Sequence, residues 1–265
     1  MKNIQVTALL IFFTAMSGCV KQNSGGMTII NGILSTGVEI GYPPMEYYNA
    51  DGNLTGFDIE LARALAEKLK MDINFIDTSW DGILAGLDTG RYDMAVNVTV
   101  LPERQRRFNF TKPYLDSSMT IVSLKNSTVS IRTPEDIKGL RVSYQNETTA
   151  QYFADRLRRQ GINFYTFSYE KIINCFDDLK LGRLDLIIVD NIVSANYASA
   201  ENSPFEIIWQ GPSGEYIAIC LKKGNDALTA MLDEALDELL KDGTLPNISY
   251  RFFGQDLVTP ARLTN

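Results

Sequence analysis

Leu61, Leu65 and Leu69 recur at every fourth position with Ala62 and Ala66 beside them, so a helix over residues 58–70 turns one apolar stripe toward a sheet. Asp58 stands where a side chain can cap the opening N–H groups of that helix. Around it the pattern predicts strands over 32–38, 72–76 and 92–98 and a helix over 80–87. The 92–98 strand is apolar at alternate and adjacent positions, as strands covered on both faces are. A second series follows. Thr133-Pro-Glu-Asp136 reads as a capped helix start with proline at its first position, and Gly139 as its stop. Beyond it come a strand over 140–144, a helix over 148–160 ended by Gly161, a strand over 162–167 and a helix over 169–181. A near-continuous apolar strand over 184–190 ends in Asp190 and leads into a short helix reaching Tyr197. Residues 216–221 form another strand. Residues 226–241 form an amphipathic helix with Leu228, Met231, Leu232, Ala235, Leu236 and Leu239 on its stripe, stopped by Gly243.

Strands alternating with helices point to α/β architecture, with mostly parallel sheets covered by helices. No internal repeat, low-complexity tract or long linker separates the two series, which favours two lobes joined by short strand crossings. In open parallel sheets ligands sit beyond the carboxyl ends of the strands. Two such lobes facing each other make a cleft.

The segment Asn97-Val-Thr-Val-Leu-Pro-Glu-Arg104 delivers two short polar side chains and an arginine to the carboxyl end of a buried strand. Pro102 suits the first turn of a helix, so Arg104 stands beside free backbone N–H groups, and a guanidinium grips a carboxylate through two parallel hydrogen bonds. A solvated arginine at a surface helix start is the plainer alternative. Arg106 and Arg107 fall on the outer face, where solvated charge is the default. Trp80 opens the second helix, where it serves either as a wall of the cleft or as packing.

Together with Leu54-Thr-Gly-Phe-Asp-Ile-Glu-Leu61, Ser79-Trp-Asp-Gly-Ile-Leu84 and Phe108-Asn-Phe-Thr-Lys-Pro-Tyr114, in this order and spacing, that segment resembles the polar amino-acid-binding proteins that feed ATP-driven importers. The resemblance runs from about Ile33 to Phe253. It implies a two-lobed fold of the periplasmic-binding-protein type II, joined by two hinge strands, with lobe 1 over 32–116 and 216–265 and lobe 2 over 117–215. It implies an extracytoplasmic, monomeric receptor that binds a free polar amino acid by hinge closure and hands it to an ABC importer permease. No cofactor or metal is implied. By the same resemblance Arg104 holds the ligand carboxylate, Thr99 serves both ends of the ligand, and Asn97 accepts from the ammonium or reaches the side chain. Asp190 matches an ammonium-binding carboxylate; the plainer reading is a cap for the helix that follows, and both roles can coexist. Thr148 and Thr149 offer a helix start to the ligand carboxylate from the far lobe. The family usually has glycine before this pair, where this chain has Glu147, whose charge would repel the ligand unless it points outward. Tyr42 matches an aromatic that stacks on the ligand side chain, and Glu39 an acid that some relatives use for a cationic side chain. Two aromatics can sandwich a guanidinium or ammonium, which favours a basic or neutral polar ligand.

Composition narrows the field further. A net charge of -7 argues against nucleic acid, which needs a basic face. The absence of histidine among the 265 residues removes serine-histidine and cysteine-histidine nucleophiles. Carboxylate-only chemistry stays open, because dehydratases acting on prephenate-like acids share the implied fold; a ligand-sensing module for a signalling partner is a further alternative. At the amino terminus Met1-Lys-Asn precedes an apolar run over 4–16 and then Ser17-Gly-Cys19. This resembles a bacterial lipoprotein signal over 1–18 with Cys19 lipidated, which would anchor the chain to the outer face of a membrane, although leucine is usual where Met16 stands. Residues 19–31 are expected to be a flexible tether. Cys175 and Cys220 remain, and the sequence does not decide whether they pair.

Overall fold

The computed structural model describes residues 27–263. In chain order its first elements are β1 (Ile33–Val38), β2 (Tyr47–Tyr48), β3 (Leu54–Thr55), α1 (Phe57–Leu69), β4 (Asp72–Asp77), α2 (Trp80–Thr89), β5 (Met94–Thr99), α3 (Pro102–Arg107), β6 (Phe108–Phe110) and β7 (Leu115–Ser117). There follow β8 (Met119–Leu124), β9 (Arg141–Gln145), α4 (Thr149–Arg159), β10 (Tyr165–Tyr169), α5 (Ile172–Lys180), β11 (Leu186–Asp190), α6 (Asn191–Ser199) and β12 (Phe205–Gln210). The chain then runs through β13 (Glu215–Lys222), α7 (Asp226–Lys241), α8 (Thr244–Phe253) and α9 (Val258–Leu263). The leader and Cys19 lie outside the described residues.

Two sheets divide these strands. The first has the order β4-β1-β5-β13-β6, with β7 also on β13; the second has the order β10-β9-β11-β8-β12. Each is built alike. Three strands run parallel (β4, β1, β5 and β10, β9, β11); a fourth, β13 or β8, joins them antiparallel, and the next, β6 or β12, pairs antiparallel with that one. β7 pairs with β13, Glu215 lying opposite Ser117, so both chain crossings between the sheets leave from one place. Each sheet is covered on both faces. In the first lobe α1, α7 and α8 pack on one side around Leu61, Leu65, Leu232 and Leu236, and α2 packs on the other around Ile83, Leu87 and Tyr92.

Tyr92 fixes where α2 sits. Its ring lies so close to Gly37 of β1 and Gly86 of α2 that a Cβ on either would come within 2.4 and 2.2 Å of ring or hydroxyl atoms, and its hydroxyl donates to Ile83 O at 2.5 Å. Only residues without a side chain let strand, ring and helix approach this closely. The result aims Trp80, at the helix start, toward the second lobe.

Several expectations need correction. Asp58 caps nothing: α1 begins one residue earlier, its N-cap is Gly56, and Asp58 is fully buried, accepting from the Tyr114 hydroxyl at 3.3 Å. The strand expected over 162–167 lies at Tyr165–Tyr169 and the next helix begins at Ile172, because Tyr165 through Tyr169 pair in register with β9. The capped start at Thr133 makes a single 3-10 turn, Pro134–Ile137, with its capping box in place. Residues 27–31 of the expected tether dock on the first lobe instead. The Ile29 N–H donates to Asp93 at 2.6 Å, and the Asn225 side chain donates to Met27 O at 3.1 Å. Cys175 and Cys220 are free and buried, one in each lobe, so they do not pair.

Candidate functional site

The carboxyl ends of β1 and β5 face those of β9 and β11, and the loops and helix starts beyond them close over one cavity. From the first lobe Glu39, Tyr42, Trp80, Asn97 and Thr99 line it; from the second, Thr148, Thr149 and Asp190. It encloses about 510 Å³ of space between atoms, part of it open to solvent. Eight of the nine residues expected at a site therefore meet. Glu46, Ser117, Gln145, Glu215 and Ile217 complete the lining and were not anticipated.

Backbone geometry accounts for two unusual residues. Asn97 has φ 57°, and the register between β5 and β13 slips beside it, so it sits in a bulge that turns the strand end toward the cleft. Asparagine tolerates that left-handed region better than most residues. Glu147 also has a positive φ, 58°, which is the conformation glycine adopts without strain. Its side chain is exposed and off the cavity, so its charge does not face a ligand; its carbonyl alone enters the seam.

The lobes meet through a few polar bonds. The Tyr42 hydroxyl donates to Asp190 Oδ2 at 2.7 Å, and Gln145 Nε2 lies 2.8 Å from both oxygens of Glu39. Lys171 Nζ donates to Ile40 O at 3.3 Å, and the Glu147 carbonyl accepts from Trp80 Nε1 at 3.1 Å and from Arg104 at 3.3 Å. Tyr42 was expected to stack on a ligand; here its hydroxyl binds the opposite lobe while its ring packs against both cores. Asp190 has divided duties. Its Oδ1 caps α6 by accepting from Ile192 and Val193 N–H at 3.0 and 2.9 Å, leaving Oδ2 for the cleft.

Arg104 stands apart from the cavity lining. It is 4% exposed, the only buried residue of α3, while Arg106 and Arg107 face outward. Its guanidinium lies 5.7 Å from the Trp80 ring and 6.0 Å from that of Tyr152, and donates to the carbonyls of Thr99 at 3.2 Å and Glu147 at 3.3 Å. Nε is buried and has no partner. Two of its five N–H donors are used on protein carbonyls, and the residue lines a separate outer pocket with Trp80, Glu147 and Tyr152.

Carboxylates dominate the lining. Burial, opposed by the Gln145 hydrogen bond and the Lys171 charge, raises Glu39 to about 7. Burial, with the neighbouring Asp190, raises Glu215 to about 7 as well. Glu46 lies well above the usual carboxylate range through burial and the nearby Asp58, and burial also raises Asp190. Among the described residues no lysine or arginine shares the cavity lining with these four acids. Such a site disfavours anionic side chains and gains from a cation.

A family model, bacterial extracellular solute-binding proteins, family 3, matches residues 34–255. The chain belongs to this family. Among relatives of this solute-binding protein, the L-cystine-binding protein TcyJ of Escherichia coli (strain K12) is 34% identical over 227 residues, covering 85% of this chain and 84% of the relative. A solved ancestral arginine-binding protein bound to arginine superposes with a TM-score of 0.80 at 32% identity, covering 84% of this chain and 99% of that one. The ancestral amino acid-binding protein AncCDT-1, described as a precursor of cyclohexadienyl dehydratase, gives 0.75 at 29% identity, with coverage of 84% and 96%. The fold of this solute-binding protein is accordingly the two-lobed type II arrangement, and these relatives are named for binding.

Proposed function

We propose that the chain is a receptor for a free polar L-amino acid, basic ligands favoured over neutral ones, and that it delivers its ligand to an ABC importer permease. The observation that carries the preference is the ring of Glu39, Glu46, Asp190 and Glu215 around one cavity, with the Tyr42 and Trp80 rings beside it and no basic side chain on its lining. In this reading Asp190 neutralises the ammonium, and Glu39 with the aromatic walls receives the cationic side chain. Arg104, Thr99, Asn97 and the start of α4 at Thr148 and Thr149 hold the carboxylate. The ligand binds one lobe, and its contacts with the other favour the closed form, as differential affinity requires. Lobe 1 comprises 32–116 and 216–265, and lobe 2 comprises 117–215. The protein acts as a monomer, tethered outside the cytoplasm through lipid on Cys19 after removal of 1–18.

A thermal-shift and calorimetric screen of the common amino acids with ornithine and cystine tests this. L-arginine, L-lysine or L-ornithine should raise the melting temperature most; glutamate or aspartate as the best ligand would refute it. A dehydratase reading draws on the protonated acids in the cavity, since a buried carboxyl near neutrality can donate a proton. Incubation with prephenate separates the two: unchanged substrate supports the receptor, and loss of water from it supports the enzyme.

A further inference from the structure

Glu215 is the member of the acidic ring that stands at the start of α4. That helix opens without a side-chain cap, because the Thr148 hydroxyl donates to Gln145 O at 2.7 Å and so does not accept from the first turn. Arg104 reaches the same helix start from the first lobe, donating to Glu147 O at 3.3 Å with its guanidinium 6.0 Å from the Tyr152 ring, while its buried Nε has no partner. A helix start and a guanidinium with spare donors together suit an anion. The carboxylate that reaches this corner is the protein's own: Glu215 Oε2 lies 3.5 Å from Thr149 Oγ1. Strand pairing fixes it there, since Glu215 begins β13 opposite Ser117 of β7. On its far side Glu215 also lines an outer groove that contains Glu103, Tyr152, Arg156 and Arg159, so the side chain stands in the wall between groove and cavity.

We propose that Glu215 is a specificity-determining residue that competes with the carboxylate of an incoming amino acid for the corner formed by Arg104 and the start of α4, and so biases the receptor toward ligands of net positive charge. This rests on the amino-acid reading of the cavity. Two carboxylates in one desolvated corner cannot both stay ionised without cost. Glu215 must therefore share a proton with the ligand, swing toward the outer groove, or repel it. The charges facing it are Asp190 across the cavity, Arg104 behind it, and Arg156 with Arg159 and Glu103 on the groove side; Asp116 of β7 accepts from Gly214 N–H next to it in the chain. With Glu215 raised to about 7, it is largely neutral near pH 6 and ionised at about pH 8.5.

The test is calorimetry on wild type and Glu215→Gln, with Glu215→Ala as a second variant, at both pH values. The probes are the tightest binder among L-arginine, L-lysine, L-glutamine and L-cystine, and the decarboxylated amine of that same amino acid. Both variants should bind the amino acid about tenfold more tightly than wild type at the higher pH and within about threefold at the lower, because like charges opposed across an interface are costly. Neither should gain for the amine. Glu39 is present in wild type and variants alike, so its titration cancels in the ratio. A gain that is equal at both pH values, a gain shared by the amine, or weaker binding by the variants would overturn the competition. Failure of wild type to bind any of the four amino acids would overturn the underlying reading of the cavity, and this inference with it.

Discussion

Tyr42 and Asp190 lie 148 residues apart and meet across the cleft, hydroxyl to carboxylate, at 2.7 Å. The acceptor is the free oxygen of a group whose other oxygen caps α6, so one side chain couples a helix start to lobe contact.

Asp190→Asn keeps an oxygen for the cap but loses the charge, whereas Asp190→Ala loses both. Urea denaturation should show Asp190→Ala less stable by about 1–2 kcal/mol and Asp190→Asn by less than half of that. Under the proposed amino-acid reading both should weaken amino-acid binding by at least about tenfold, since each would leave the ligand ammonium without a counter-charge. Equal stability losses in the two variants would remove the capping argument.

Arg104→Lys retains one positive charge and discards the planar fork. Binding of every amino acid ligand should fall by about thirtyfold or more in calorimetry, because a point charge cannot reproduce paired N–H donors to a carboxylate. Arg104→Ala should in addition lower the melting temperature, since the guanidinium packs between Trp80 and Tyr152. Undiminished affinity in Arg104→Lys would take the arginine out of the binding corner.

Stability should depend on pH through Glu39 and Glu215. Each titrates at about 7 when folded against 4.5 when exposed, so between these values the folded chain holds more protons. Stability then falls as pH rises from about 4.5 to 7 and levels off above it, by about 3 kcal/mol for each group. Glu39→Gln should flatten the corresponding part of a melting curve series over that window. A series that rises through the window, or one unaffected by Glu39→Gln, contradicts the buried-acid account.

Gly86→Ala should cost about 1–3 kcal/mol in chemical denaturation, because the added methyl would meet the Tyr92 hydroxyl 2.2 Å away. Tyr92→Phe combined with Gly86→Ala should recover only a small part of that loss, since ring carbons would still stand 2.5 and 2.7 Å from the new methyl. Additive losses in the double variant would show that the helix, not the ring, is the source of strain.

Much of the architecture was legible because apolar stripes and alternations recur at the periods of helix and strand. The 226–241 helix has the same bounds in the structure. Boundaries failed where propensity and pairing disagree. Tyr169 reads as a helix start, yet β9 recruits it as a strand end. Most of the cavity was legible as well, since strand ends and helix starts carry Asn97, Thr99, Thr148, Thr149 and Asp190. Gln145 and Glu215 were not, because their significance comes from the partners they reach, Glu39 106 residues away and Thr149 66 residues away. Local pattern cannot report such distant neighbours. Glu147 misled for a related reason: a side-chain type was weighed where only the main chain enters the seam.

That last feature bears on how the molecule can change over generations. Since the carbonyl at 147 is what receives Trp80 and Arg104, any residue able to hold a left-handed turn there would preserve the grip. The outward face at this spot is consequently open to drift in charge and shape while the carbonyl's grip stays constant, so outer face and cavity can diversify on separate clocks.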